Sequence, residues 1–259
     1  MKGLIIKDIM CLKKQLTTFV YVISGVVVIS ILYVLSSRFG NLAEVGKVLL
    51  DENNNMTQVD VKNLGSMVLI MSMLIPIVSV GDMVNVFIAD GKAGFFKVSA
   101  SLPVSMKKRM LSRFLTIYAL FAIGATVDIV LAMILSSLTD IMGFGSFLGI
   151  IVSSASLLSI YSAFLILYCV ILGYGKEQYA QYFSLLTITL SFVIIKFKSV
   201  KFVIIHVLGD GVGFDSSVFW KPLDYFRQKG YVFLLIALFV SVFSYCLSLY
   251  FAERKRGVI

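Results

Sequence analysis

Residues 81–113 read GDMVNVFIADGKAGFFKVSASLPVSMKKRMLSR and lie between two long apolar segments. Lys92, Lys97, Lys107, Lys108, Arg109 and Arg113 stand here against only Asp82 and Asp90. Phe95, Val98 and Leu102 fall on one helical face at i, i+3 and i+7. Phe96 widens that face, and Lys92 and Lys97 lie off it. Gly91 and Gly94 permit a sharp entry into the piece that begins at Asp90. Pro103 disfavours helical geometry at Leu102 and so ends it. Ser105 is placed to cap a new helix starting at Met106. The stretch predicts a short amphipathic helix over 90–102, held across the mouth of two membrane helices.

The rest of the chain supplies those helices. It has 259 residues, 59% hydrophobic and only 14% charged, and its mean hydropathy is +0.97. A soluble domain is about 45–50% apolar and about 25% charged. This chain therefore needs lipid as its solvent. The formal charge of +9 does not indicate nucleic acid, because the basic residues sit at the ends of apolar runs rather than on one polar face.

Six apolar segments are predicted to span, over 17–35, 64–80, 114–135, 146–172, 182–195 and 231–252. Residues 2–16 place Leu4, Ile5, Ile9, Leu12 and Leu16 at roughly helical spacing, with Lys2, Lys7, Lys13 and Lys14 between them. That pattern predicts a retained helix lying in the membrane interface, lysines toward anionic headgroups. Pro76 should kink the second span. Residues 199–209 are too short to cross and read as interfacial or re-entrant. Trp220 and Tyr225 suit a membrane-surface position for 214–230. With both ends inside, the inner side holds fourteen basic residues and the outer side nine, which agrees with the positive-inside rule. The expected fold is one all-α integral membrane domain, N-in and C-in.

Asp128 falls inside the third span with no acid or base near it in sequence. A carboxylate at such depth costs a few kcal/mol, so it should face protein or water. It lies about 21 Å along the axis from Phe114. Either it lines a cavity and meets substrate, or it makes a structural polar contact. In the fourth span Gly145, Gly149, Ser153 and Ser156 form a small-residue stripe that allows close helix approach.

Chemical machinery is not apparent. No GxxxxGK[ST] occurs, nor an HExxH, and GDGVG at 209–213 is not flanked as a dinucleotide site requires. Cys11, Cys169 and Cys246 are far apart and His206 is the single histidine, which speaks against a zinc site or a disulfide framework. No catalytic residue and no metal or cofactor bound directly are expected. A membrane body with a handle and no engine predicts that the engine is another polypeptide.

The start MKGLIIKD, the stretch FIADGKAGFFKVSASLPVSMKKRMLSRF at 87–114 and GYGKEQYAQ at 173–181 resemble bacterial ABC-2-type permease subunits, most closely permeases of phenol-soluble-modulin and other peptide exporters. GKAG at 91–94 is more basic and glycine-rich than the acidic patch common in that family. The resemblance implies a bacterial cytoplasmic membrane location, a second permease copy or paralogue, and two cytosolic ATPase subunits that bind ATP and Mg. It also implies that 90–102 is a coupling helix. Asp90, Lys92, Phe95, Phe96, Val98, Leu102 and Pro103 would carry the ATPase contact, and re-entrant outer helices would lie between spans five and six. Amphipathic or hydrophobic peptides are the expected cargo. The residues also admit an ion-coupled secondary transporter using Asp128, or a non-transporting membrane immunity or scaffold protein.

Overall fold

A computed structural model of the chain describes residues 2–11, 13–39, 105–138, 143–173, 176–195 and 216–256. The second predicted span and the 90–103 piece lie outside the described residues. Every described element is a helix: α1 (Lys2–Cys11), α2 (Lys13–Phe39), α3 (Met106–Leu138), α4 (Phe144–Leu172), α5 (Glu177–Ile195) and α6 (Ser216–Arg256). Three of these segments are long and apolar enough to cross a membrane: α3, α4 and residues 227–254 of α6. In α2 the apolar part runs over Thr17–Leu32.

The helix ends follow from local chemistry. α3 starts at Met106 as expected, and the Arg109 N–H donates to the Ser105 carbonyl at 3.3 Å. α4 opens with Ser146 N–H donating to the Gly143 carbonyl at 2.9 Å. It closes at Gly173, whose φ of 82° only glycine adopts without strain, and whose N–H donates to the Cys169 carbonyl at 3.1 Å. Glu177 lies in the first turn of α5, where the helix dipole favours an acid. That turn forms five residues earlier than hydropathy predicts, so part of the expected 173–181 loop is helical. α2 likewise begins at Lys13 and reaches Phe39. The apolar run marks only where a helix meets lipid, whereas backbone hydrogen bonding continues into the polar flanks.

α4 is the hub. It packs on α3, α5 and most extensively on α6, and its buried residues fall on every side, as in a central helix. Its neighbours carry a regular seam. On α3 the buried positions Met110, Phe114, Ile117, Phe121, Gly124, Asp128, Leu131 and Leu135 alternate by four and three, with Ser112, Arg113, Thr116, Leu120 and Ala132 buried alongside them. On α6 Ala237, Ser241, Ser244 and Ser248 do the same. This is the seven-residue repeat of left-handed helix packing. The outward faces are apolar: Leu235, Phe239, Val242 and Tyr250 of α6 are all exposed. Lipid chains are the fitting solvent for such a surface.

Register between helices is set by a few contacts. The Tyr118 hydroxyl donates to Ser241 Oγ, and Phe114 meets Tyr245 edge-on at 5.6 Å, so α3 and α6 run antiparallel. Tyr168 bonds Thr187 at 2.8 Å and packs on Phe183 at 5.9 Å, fixing the α4–α5 hairpin. At the other end α4 and α6 cross at glycines. A Cβ on Gly230 would lie 2.9 Å from the Gly149 carbonyl oxygen and 3.3 Å from Ser153 Oγ. A Cβ on Gly149 would collide with the Arg227 carbonyl. Just here α6 breaks, with Lys229 at φ −109° and ψ 16°, dividing a leading helix from the apolar span that follows.

Gly149→Ala is therefore expected to destabilise the bundle by about 2–3 kcal/mol, since neither backbone can retreat from the added methyl. Gly145→Ala is expected to be neutral, because nothing lies within 4 Å of its added Cβ. Unfolding midpoints of the two variants in detergent check the contrast.

Candidate functional site

Two groups of buried polar residues stand out, one at each end of the bundle. The first centres on Asp128, which is 0% exposed. Its place in the α3 seam follows from the heptad spacing, because Gly124 and Leu131 flank it on the same face. Neither carboxyl oxygen has a hydrogen-bond partner among the described residues. From Tyr118, bonded to Ser241, Asp128 is ten residues or about 15 Å along α3. Eleven residues back along antiparallel α6 from Ser241 is Gly230. Counting from the α3–α4 turn, Asp128 is ten residues before Leu138 and Ser153 nine after Phe144. The carboxyl thus sits at the height of the Gly149–Gly230 crossing and of buried Ser153. Close-packed glycines there leave α4 and α6 little room to part, while the carboxyl beside them lacks a described partner.

The second group lies at the opposite, basic end. There α1 packs on α3, and Asp8 of α1 is 3% exposed although it sits in a lysine-rich helix. Lys7 Nζ stands 2.9 Å from its carboxylate. Ser112 and Arg113 of α3 are buried at the same end. Cys169, near the close of α4, is buried at this end too, and Glu177 stands in the first turn of α5. Sequence reading passed over Asp8, because one acid among four lysines is weak as a pattern. Its spacing from Leu4 and Ile5, on the bundle-facing side of α1, was the available signal.

Of the predicted site residues, Asp128 is buried in the helix seam as the sequence requires. Asp90, Lys92, Phe95, Phe96, Val98, Leu102 and Pro103 lie outside the described residues. The small-residue stripe Gly145, Gly149, Ser153 and Ser156 divides: Ser153 and Ser156 are buried, whereas Gly145 is exposed. On α6 the buried row Ala237, Ser241, Ser244 and Ser248 carried a signal in its four-and-three spacing. Among the described residues no group of three or more His, Cys, Asp or Glu is placed to hold a metal. No protein-family model, curated protein or solved structure matches this chain.

If Asp128 serves only the packing of helices, its burial without a described partner makes it a net cost. Asp128→Leu keeps the branching at Cγ and is expected to raise stability by about 1–3 kcal/mol, read from the unfolding midpoint of the purified protein. A fall in stability instead would mean that the carboxyl has a partner that the seam depends on.

Proposed function

We propose that this chain is the transmembrane permease subunit of an ATP-driven ABC exporter of the ABC-2 type, moving amphipathic or hydrophobic peptides out of a bacterial cell. The observation that carries the reading is α3. It runs unbroken for 33 residues from Met106 to Leu138, about 50 Å at 1.5 Å per residue, against a hydrocarbon core of about 30 Å. Its first two turns, MKKRMLSR, therefore project beyond the lipid and directly follow the amphipathic stretch that ends at Pro103. A force applied to residues 90–102 would reach a rigid rod rather than a flexible loop. With the basic ends on the cytosolic side, in keeping with the positive-inside rule, that rod is gripped from inside the cell.

In this reading the partner ATPases close on ATP and bias two packings of the helices. Phe95 and Phe96 anchor the contact, since buried aromatics dominate such interfaces. The apolar seams favour a cargo that is itself apolar on one side. A second copy or paralogue of the chain completes the pathway.

Purification from the native membrane is expected to bring down a cytosolic ATPase in equal ratio with the permease. Phe95→Ala with Phe96→Ala is expected to lower coupled ATPase stimulation and transport roughly tenfold or more. Undiminished stimulation would remove the docking role.

A second reading rests on Asp128 itself, whose buried carboxyl suits an ion-coupled carrier. It predicts transport in vesicles lacking any ATPase, abolished by Asp128→Asn. Uptake that needs the ATPase and ignores Asp128→Asn sets that reading aside.

A further inference from the structure

We propose that α1 and the start of α3 together form a binding site for anionic phospholipid. This goes beyond the exporter reading and does not depend on it.

The site begins with the burial of Asp8. Because Asp8 faces the bundle, the opposite side of α1 is committed to the exterior. That side carries Ile6, Ile9 and Met10, exposed by 51%, 41% and 70%. Three large apolar side chains occupy one flank of a ten-residue helix, which is the pattern of a helix lying among acyl chains. The Lys7–Asp8 pair neutralises the acid, so no unpaired negative charge opposes an anionic neighbour.

Exposed cations stand on two elements that α1 contacts. Lys13 is exposed and opens α2 two residues after α1 closes. Lys107 and Lys108 are exposed in the first turn of α3, the helix on which α1 packs. Three basic groups at or next to helix N-termini work against the helix dipoles, so helix stability does not account for them. They suit the anionic inner leaflet on which the positive-inside rule places them.

The ligand must match both features. A soluble anion such as phosphate would satisfy the lysines but leave the apolar flank idle. A zwitterionic lipid would cover the flank but offer no net charge to the lysines. A lipid with an anionic headgroup satisfies both. Because α1 packs on α3, occupancy of this site bears on the position of α3 and not only on the N-terminal helix.

The test uses the full chain in neutral detergent, titrated separately with phosphatidylglycerol, phosphatidylcholine and inorganic phosphate. Retained lipid is counted by native mass spectrometry, and the unfolding midpoint is read in parallel. Phosphatidylglycerol is expected to be retained and to raise the midpoint at concentrations where the other two do neither. A chain carrying Lys13→Gln, Lys107→Gln and Lys108→Gln is expected to bind it on the order of a hundredfold more weakly, about fivefold for each lysine. Its midpoint in detergent alone should be unchanged, which separates lost binding from lost folding. Ile6→Ser with Met10→Ser is expected to weaken retention while leaving the three lysines in place. Equal retention of both lipids, a match by free phosphate, or a triple variant that binds like the parent would each overturn the proposal.

Discussion

The described bundle depends on one close approach, that of α4 and α6 at Gly149 and Gly230. In lipid, apolar side chains gain little by leaving their solvent, so helices associate through packing and polar contacts. Packing is tightest where backbones meet, and backbones meet only where no Cβ intervenes. Gly230 sits 2.9 Å, at its absent Cβ, from the Gly149 carbonyl. Beyond that point α6 stays packed on the hub and also meets α3, where Ser241 accepts from Tyr118. The same point explains the break at Lys229. Arg227 lies against Gly149 through its own carbonyl, and a chain pinned there turns before it starts across the membrane.

Around this fixed crossing, polar groups are distributed unevenly. The α3–α6 seam holds the Tyr118–Ser241 bond, and Ser244 Oγ and Ser248 Oγ of α6 are buried without described partners. Asp128 is at the glycine end, about 15 Å beyond Tyr118. Each such group costs free energy in a dry interior, and a sequence selected for stability alone would replace it with Ala or Leu. A seam with unmet hydrogen bonds is less firmly closed than one filled with leucine, and the glycine crossing between α4 and α6 has no such deficit.

Much of the helix layout was legible in the sequence. Long apolar runs located α3, α4 and the span of α6, since membrane helices must satisfy their backbones internally. Met106 was identified as a helix start from Pro103 and Ser105. Helix ends were less legible: α5 starts at Glu177 and α2 at Lys13, because polar flanks continue a helix without any hydropathic mark. Asp128 was legible as a buried acid, since charge inside an apolar run admits few other readings. Asp8 was not, since burial of an acid beside four lysines depends on how α1 docks on α3, which is a tertiary fact. The serine row of α6 was obscured for a related reason. A serine in an apolar run is an ordinary residue until its four-and-three spacing is matched to a neighbour. Of the small-residue stripe of α4, Gly149 and Ser153 meet α6 while Gly145 meets nothing, a division that depends on where α6 crosses.

α3 joins the two ends of this arrangement. Its first turns carry Lys107, Lys108 and buried Arg113 at the basic end, its middle makes the Tyr118 bond, and its far third holds Asp128. A helix is stiff over this length, so a tilt imposed at Met106 is delivered at Asp128 with the opposite sense about whatever point holds the middle. The Tyr118–Ser241 and Phe114–Tyr245 contacts supply that point, and they lie nearer the basic end. The lever is therefore unequal. About 18 Å separate Met106 from Tyr118 and about 30 Å separate Tyr118 from Leu138, by helical rise. A small displacement at the basic end is delivered at about the same size at Asp128, about 15 Å beyond Tyr118, and is enlarged only farther out, toward Leu138. If α3 tilts in this way, the glycine crossing keeps α4 and α6 together, and the unpartnered carboxyl of Asp128 lies on the helix that shifts.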